Sequence, residues 1–288
     1  MPMLSPQLQP FFKRLHVPRP DSHKGQNGKV MIIGGSELFH AASRWSLDIA
    51  SCFVDMVFYA SVPANNELMK EAKGNFWNGI VIKREDIEAY IEEADCVLIG
   101  PGMTRTSDTE QITNSLVTTY PDKKWVIDAG ALQMINPNLL NSNMIMTPHP
   151  KELRMVAEKL DEQSLVQAEQ LAEEPNLQLL VALSERLQAV TIVLKGQLDL
   201  VVGPALQIKI EGGNSGMTKG GTGDVLAGLI AGLASTNDLD VSAVVGAVVN
   251  KAAGDELYKT QGPFFNASML IQQIPQTLWS LAQPLSQI

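Results

Sequence analysis

A glycine-rich stretch that leads into an apolar helix is the part of this sequence best suited to chemistry. Six glycines lie between Gly212 and Gly223, and the alanine- and leucine-rich segment that follows, as far as Ala234, is typical of a helix. Backbone N–H groups at a helix start have no intrahelical partner and carry the positive end of the helix dipole. Glycines at 220, 221 and 223 let the main chain approach an oxyanion closely. The sequence therefore predicts an anion site, most simply a phosphate site, at this junction.

Asp224 is the carboxylate in the first turn of that helix. In one reading it only complements the helix dipole as a cap. In the other, a carboxylate beside bound phosphate takes a proton from a hydroxyl group that reacts with that phosphate. The loop is not a Walker A motif, because the pattern GxxxxGK[ST] is absent.

Polar and glycine-containing turns follow four predicted strands. Carboxyl ends of parallel strands meet at one sheet edge, where open α/β sheets bind ligands. Taken by itself, His149 is most simply a histidine in a surface turn. Lys195 could be a phosphate ligand, a point charge at a glycine turn or a plain strand-end lysine. The strand and turn pairs are Cys96–Ile99 with Gly100–Gly102, Trp125–Ile127 with Asp128–Gly130, Asn143–Met146 with Thr147–Pro150, and Val190–Leu194 with Lys195-Gly196.

Alternating strands and helices indicate an α/β protein. The strand Lys29–Ile33, a helix at Ala41–Val54 and the strand Met56–Ala60 predict a parallel βαβ unit. Leu198–Val202 is expected to be a hairpin partner of the strand before it, and a long apolar helix at Val241–Tyr258 is expected to cover the sheet. The sequence shows no repeats or linkers. We therefore expect a proline-rich arm over residues 1–27, with a short helix at Gln7–Leu15, and one domain over residues 28–288.

Composition narrows the class of protein. The chain has 288 residues, 45% of them hydrophobic and 18% charged, which is typical of a soluble globular protein. Its net charge of −9 disfavours nucleic acid as a partner. Cys52 and Cys96 show no CxxC spacing, so we expect two reduced, buried thiols and a cytoplasmic location. Neither a secretory signal nor a membrane span is expected.

Six motifs occur in order along the chain, namely VMIIGGS (Val30–Ser36), IGPGM (Ile99–Met103), VIDAGAL (Val126–Leu132), MTPHPKEL (Met146–Leu153), VLKG (Val193–Gly196) and NSGMTKGGTGDVLAGLIAG (Asn214–Gly232). Between residues 24 and 260 the sequence thus resembles the ADP-dependent NAD(P)H-hydrate dehydratases of the ribokinase-like superfamily. The GTGD element alone indicates only the superfamily, whereas the ordered set indicates the family.

The resemblance implies a three-layer α/β/α sandwich with a mostly parallel central sheet. It also implies a nucleotide-repair lyase that converts hydrated NADH or NADPH back to the reduced cofactor, with ADP giving AMP and phosphate. Phosphorylation would make the ring hydroxyl a good leaving group, and Mg²⁺ is the usual metal of such chemistry. ATP in place of ADP remains open. Relatives often form homotetramers, and many carry an epimerase domain, an activity expected here on a separate protein because little sequence precedes Lys29.

Site residues also follow from the resemblance, with Asp224 as the base and itself a substrate contact. No protein ligand for a metal stands out in the sequence. The implied substrate contacts are Ala41, Ala42, Gly102 and His149, and the implied nucleotide contacts are Lys195, Gly196, Gln197, Leu198, Asp199, Asn214, Gly220, Gly221, Thr222 and Gly223.

Three positions depart from the family pattern. Ala41 stands where relatives have a glycine, which puts close approach of the substrate there in question. Lys219 adds a cation to the glycine loop. Asp199 replaces a common threonine and would bring a carboxylate near the nucleotide phosphates.

Two other functions use the same loop and base. One is a ribokinase-like kinase that passes phosphate to a stable alcohol, such as a hydroxyethylthiazole or a sugar, and fold analogy alone does not separate it from the dehydratase. The other is a nucleotide-binding protein with reduced turnover, suggested by the departures at residues 39–42 and 219. The TPHP and GPG motifs favour the dehydratase, and the presence of Asp224 argues against loss of turnover.

Overall fold

Nine strands form one sheet in the order β3-β2-β1-β4-β5-β6-β7-β8-β9 in the computed structural model, which describes residues 4–71 and 78–286. The strands are β1 (Lys29–Ile33), β2 (Met56–Ala60), β3 (Ile80–Val81), β4 (Cys96–Ile99), β5 (Lys124–Ile127), β6 (Met144–Met146), β7 (Thr191–Leu194), β8 (Asp199–Gly203) and β9 (Leu206–Ile210).

Strands β1 to β7 are parallel, and the last two pairings, β7 with β8 and β8 with β9, are antiparallel. The predicted parallel pairing of β1 with β2 is confirmed, with Met31 opposite Phe58. β7 pairs with β8 as the predicted hairpin, with Val193 opposite Val201. β9 then adds an antiparallel edge strand, which the sequence analysis did not predict. The mostly parallel α/β architecture expected from the sequence is therefore confirmed.

Twelve α-helices lie in the described part of the chain. They are α1 (Gln9–Lys13), α2 (His40–Ala50), α3 (Pro63–Glu71), α4 (Ile87–Glu93), α5 (Ser107–Thr119), α6 (Ala129–Met134), α7 (Pro150–Leu160), α8 (Glu162–Glu173), α9 (Leu177–Arg186), α10 (Thr222–Ala234), α11 (Leu239–Gln261) and α12 (Ala267–Ser286).

Two apolar cores sandwich the sheet, because successive strand residues point to opposite faces. Val30 and Ile32 pack into a core shared with α2, α10, α11 and α12. Met31 and Ile33 pack into a second core shared with α4 to α9. The predicted three layers, helices on both faces of a central sheet, are thus observed.

Helix α10 is buried on nearly all sides, which explains why its sequence is apolar throughout. It packs against α2 so closely that a side chain at Gly228 would overlap the backbone of Ser46. The Ser46 hydroxyl donates to the backbone oxygen of Asp224 at 2.8 Å. These contacts fix the first turn of α10, and with it Asp224, at one edge of the sheet.

Three details of the N-terminal third differ from expectation. The helix in the arm is shorter than the predicted Gln7–Leu15, covering Gln9–Lys13, and Arg14 after it donates to Asp238 and Asp240.

Cys96 is buried as expected, but Cys52 is exposed, so the prediction of two buried thiols was wrong. α2 ends at Ala50, earlier than predicted, and leaves Cys52 in a surface turn. Among the described helices, none has the length and apolar character needed to cross a bilayer.

Candidate active site

The carboxyl ends of the parallel strands bring the predicted polar turns together at one sheet edge. Ile99, Ile127 and Met146 lie side by side in register, and each is followed directly by one of those turns. The Lys195 backbone N–H donates to the carbonyl of Pro148 at 2.8 Å, which joins the last two turns.

The glycine loop enters α10 through a left-handed residue, Gly221, with φ of +99°. A Cβ there would lie 2.5 Å from the Trp45 ring and 2.7 Å from the Cβ of Ala267. Gly220 faces open space, and a Cβ at Gly223 would meet only the ammonium of Lys195, at 3.5 Å. No side chain caps the start of α10. The Thr222 N–H donates to the Lys219 carbonyl at 3.4 Å, so Gly221 and Gly223 carry the first-turn N–H groups best placed to serve an anion beside Lys195.

Asp224 lines a cavity of about 510 Å³ at this edge. Burial raises the pKa of its carboxyl to about 7, the charge of Asp128 adds to that rise, and Lys195 opposes it. A carboxyl group with such a pKa is suited to accept a proton near neutral pH. The cavity is lined by Phe39, Ala42, Gly102, Met103, Thr104, Arg105, Ala129, Gly130, Gln133 and Asp224.

Lys195 lies between two buried carboxylates. Its ammonium is 3.1 Å from Oδ1 of Asp128 and 3.9 Å from Oε2 of Glu152. Burial alone would lower its pKa, but the charges of Asp128 and Glu152 outweigh burial and raise it. The Thr147 hydroxyl donates to Asp128 at 2.7 Å, and Gln133 donates to Glu152 at 3.1 Å. Of the three readings that the sequence left open, the geometry favours a charged lysine held beside the glycine loop.

His149 caps α7 rather than pointing freely into solvent. Its Nδ1 accepts a hydrogen bond from the backbone N–H of Glu152 at 3.2 Å. The Glu152 carboxylate accepts one from the backbone N–H of His149 at 3.0 Å. The imidazole Nε2 lies 3.6 Å from the Glu152 carboxylate, and the side chain is half exposed. This capping role does not conflict with a ligand contact at the exposed side of the ring, which stays a prediction.

Ala42 and Gly102 touch at the cavity wall. Gly102 has φ of +73°, and a Cβ there would lie 2.5 Å from the Phe39 carbonyl and 3.0 Å from the Cβ of Ala42. Ala41 lies in the first turn of α2, so the backbone is helical where relatives have glycine. The geometry needs no glycine there. Ala41 is absent from the described lining of the cavity, so its role as a substrate contact stays a prediction.

The segment Lys195–Asp199 is held from α11. Asp199 accepts the Gly196 N–H at 2.8 Å and lies 3.3 Å from the ammonium of Lys251. Burial raises the pKa of Asp199, against the effect of Lys251. The Lys251 ammonium also donates to the carbonyl of Gln197 at 2.9 Å. This explains how the chain tolerates a carboxylate where the family has threonine. Leu198 lies partly buried in the same turn.

The early part of the glycine loop is held in the same way. Asn214 donates to Asp255 at 2.9 Å and accepts the Gly216 N–H, so its side chain is used inside the loop. Thr222 donates to the carbonyls of Met217 and Lys219. The Lys219 ammonium donates to the carbonyl of Pro263 and lies 5.4 Å from the ring centre of Phe265. The extra cation is thus bound by the protein itself.

Four residues of this site were missed as functional candidates by the sequence analysis. In the sequence, Asp128 stands out only as a polar strand end, and Glu152 only as part of a motif. Lys251 and Asp255 lie on α11, and a lysine within the apolar part of that helix is the signal that points to them.

The order of the sheet defines an α/β protein, and its fold is like that of a ribokinase-like superfamily protein of Enterococcus faecalis, which is 24% identical, with a TM-score of 0.81, over 98% of this chain and 96% of that one. A solved structure with this fold is the ADP/ATP-dependent NAD(P)H-hydrate dehydratase of Bacillus subtilis, co-crystallised with ATP and Mg²⁺. It is 20% identical, with a TM-score of 0.77, over 95% of this chain and 97% of that one. At this identity the likeness concerns the fold alone.

Sequence comparison identifies the family. The sequence profile of the NAD(P)H-hydrate dehydratases matches residues 30–276. A bifunctional NAD(P)H-hydrate repair enzyme of Methanocaldococcus jannaschii is 35% identical over 90% of this chain and 49% of its own length. An ADP-dependent (S)-NAD(P)H-hydrate dehydratase of Nitrosopumilus maritimus is 30% identical over 88% of this chain and 89% of its own. This chain, which spans about half the length of the bifunctional relatives, belongs to the NAD(P)H-hydrate dehydratase family.

Proposed function

We propose that this protein is an ADP-dependent lyase that converts hydrated NADH or NADPH back to the reduced cofactor and releases AMP and phosphate. The observation that carries the proposal is the Asp224 carboxylate in the cavity, in the first turn of a helix whose dipole and neighbouring Lys195 favour an anion. The relatives named as ADP-dependent dehydratases support the choice of reaction and nucleotide.

The proposed reaction has two steps. Asp224 takes the proton of the ring hydroxyl as the hydroxyl oxygen attacks the β-phosphorus of ADP, and the bond from that phosphorus to AMP breaks. The resulting phosphate ester then loses phosphate. Its carbon–oxygen bond breaks with the help of the ring nitrogen lone pair, and the neighbouring ring carbon releases a proton. The sum is hydrate plus ADP giving NAD(P)H, AMP and phosphate, with no change of oxidation state.

The two ligands would occupy opposite sides of Asp224. We assign the hydrated ring to the cavity next to Ala42 and Gly102, with His149 at the same strand edge. We assign the nucleotide to the side formed by Lys195–Asp199 and Gly220–Gly223, where Lys195 and the N–H groups of the first turn would stabilise the transferred phosphoryl group. For Asn214 we assign backbone contacts only, because Asp255 and Gly216 engage its side chain.

Magnesium fits this site as a companion of the nucleotide. The described residues contain no group of three or more side chains suited to hold a metal ion. Mg²⁺ commonly binds through one or two carboxylates together with substrate phosphates and water. Asp128 and Glu152 are the carboxylates nearest the Lys195 ammonium, and either would serve as the protein ligand. When bound, the ion would neutralise phosphate charge.

One assay tests the proposal. The protein is incubated with hydrated NADH and either ADP or ATP, and the dihydronicotinamide absorbance is followed together with release of AMP or ADP. The proposal predicts recovery of absorbance with stoichiometric AMP when ADP is supplied. Phosphorylation of hydroxyethylthiazole or a sugar, without recovery of NADH, would favour the kinase. Nucleotide binding without any turnover would favour the binding protein.

Three wider expectations belong to this proposal. The bifunctional relatives suggest that an epimerising activity acts on the same metabolite, and we propose that this protein shares its substrate with one. We also propose a homo-oligomer, a tetramer by family resemblance. The expected cytoplasmic location stays a prediction.

A further inference from the structure

Lys251 is a buried cation surrounded by oxygen atoms. Its ammonium donates to the carbonyls of Gly196, Gln197 and Gly212 at 3.0, 2.9 and 3.0 Å, which uses all three of its protons. It lies 3.3 Å from Oδ1 of Asp199, and both side chains are 7% exposed. These partners come from two separate parts of the chain, the turn after β7 and the start of the glycine loop.

Asp255 completes this arrangement one helical turn further along α11. Residues four apart share a helix face. Lys251 donates to carbonyl oxygens. The Asp255 carboxylate accepts hydrogen bonds from the N–H of Gly213 at 3.0 Å and from the side-chain amide of Asn214 at 2.9 Å. One face of α11 therefore satisfies both acceptors and donors of the loop that leads toward Gly220.

Close packing leaves little freedom in this contact. Gly212 and Gly213 have φ of +99° and +83°, which other residues rarely adopt. A Cβ at Gly212 would lie 3.0 Å from the Asp255 carboxylate, and one at Gly213 would lie 3.4 Å from the Lys251 ammonium. The positive φ values of both residues, together with the close contact at Gly212, favour glycine at these positions.

Charge explains why Lys251 and Asp199 belong together. A carboxylate in a phosphate-binding segment would repel the nucleotide unless a cation neutralised it. Lys251 provides that cation from beneath the turn. Asp199 in turn accepts the Gly196 N–H, and this hydrogen bond shapes the turn. Removing either partner leaves the other as a buried charge without its counter-ion, a costly state.

We propose that Lys251 and Asp199 are a positioning pair that locks the turn 195–199 and the loop 212–214 into the arrangement that receives the nucleotide phosphates. The inference rests on the proposed function for its ligand. Neither residue touches the reacting atoms, so the pair acts through the backbone of the two segments. Loss of the pair is expected to weaken nucleotide binding selectively.

The test compares Lys251→Met, Asp199→Asn and the double variant with Lys259→Met. Lys259 lies on the same helix but pairs with Glu256 at the surface, so its variant controls for loss of a helical lysine. ADP binding is measured by calorimetry, KM is measured for ADP and for the hydrate, and amide hydrogen exchange is followed over residues 195–199 and 212–214.

We expect Lys251→Met to raise the Kd and KM for ADP about tenfold or more, with the hydrate KM within about twofold of wild type. Both segments should lose amide protection together. The double variant should bind ADP better than Lys251→Met alone, because it no longer buries an unpaired carboxylate. Lys259→Met should match wild type.

Two results would contradict the proposal that Lys251 and Asp199 are a positioning pair. One is unchanged amide protection and ADP affinity in both single variants. The other is an equal loss of affinity for ADP and hydrate, which would indicate a general structural role. Asp199→Asn keeps an acceptor for Gly196 and remains informative if Lys251→Met does not fold. A wild-type protein that binds ADP but never converts the hydrate would refute the dehydratase alone, since exchange and ADP binding still test the pair.

Discussion

Nζ of Lys195 lies 3.1 Å from Oδ1 of Asp128, although the two residues follow strands that are 67 positions apart in sequence. Asp128 is almost fully buried, and its charge acts on both Lys195 and Asp224. The position of the cation and the basicity of the proposed base thus depend on one carboxylate that the sequence marked only as a strand end.

Asp128→Asn should lower turnover and change its pH dependence. Without the carboxylate, Lys195 loses its nearest ionic partner, and we expect kcat to fall roughly ten to a hundredfold through misplacement of the ammonium. Asp128 raises the pKa of Asp224, so its loss should move the acid limb of kcat/KM to lower pH. The measurement is a pH–rate profile of both proteins. Asp122→Asn, at an exposed position before β5, is the control, and an unshifted limb in Asp128→Asn would contradict the coupling.

In the wild-type protein, the acid limb of kcat/KM should lie near the pKa of Asp224, which is about 7. A general base must be ionised, so activity should rise as the pH increases through that value and fall about tenfold per pH unit below it. Asp128, Lys195 and Glu152 are the charged groups that act on Asp224. An acid limb near the ordinary aspartate value of about 4 would show that burial does not control this carboxyl.

Asp224→Asn should stabilise the folded protein at alkaline pH. The folded-state pKa of Asp224 lies above its unfolded value of 3.8, so its contribution to stability falls as pH rises between the two values. The asparagine of the variant does not ionise, so the variant does not lose this contribution to stability. We expect its free energy of unfolding to exceed that of wild type by on the order of 2 kcal/mol at about pH 8, and by much less at about pH 4. Urea unfolding at both pH values measures this, and a pH-independent difference would contradict it.

The glycine loop offers a matched pair of alanine substitutions. Gly221→Ala introduces a Cβ at φ of +99° against the Trp45 ring, and we expect a loss of about 1–3 kcal/mol in the free energy of unfolding. Gly220→Ala meets nothing within 4 Å and should unfold like wild type. Chemical unfolding of the two variants side by side tests this. Equal stability would mean that the left-handed turn is not needed.

Much of the sheet could be predicted from the sequence because buried parallel strands are short β-branched runs that end at glycine or polar turns. Helix α12 was missed since Pro275 interrupts its pattern, whereas packing against α11 and α1 stabilises it in the fold. The short strand β9 was missed because it lies at the sheet edge with an exposed alternate face. The sequence signals for α3, which starts at a proline, and for α6, which starts directly after a turn, are equally weak.

The site divides in the same way. Gly102, Lys195 and Asp224 could be assigned to one edge because strand ends and helix starts have a fixed place in a parallel sheet. Lys251 could not, because its contacts with residues 196–199 and 212 depend on how α11 crosses two loops 39 to 55 positions earlier in the chain. Asp199 therefore looked unfavourable in sequence and has a partner in the structure.

The measurement that tests the central claim most directly is recovery of NADH from its hydrate by wild-type protein and by Asp224→Asn, each with ADP. We predict that wild type restores the dihydronicotinamide absorbance and releases one AMP per hydrate. Asp224→Asn should bind ADP with nearly unchanged affinity and turn over at least about a hundredfold more slowly. Turnover by the variant at the wild-type rate would make Asp224 a helix cap, and failure of wild type to consume the hydrate would refute the proposed activity.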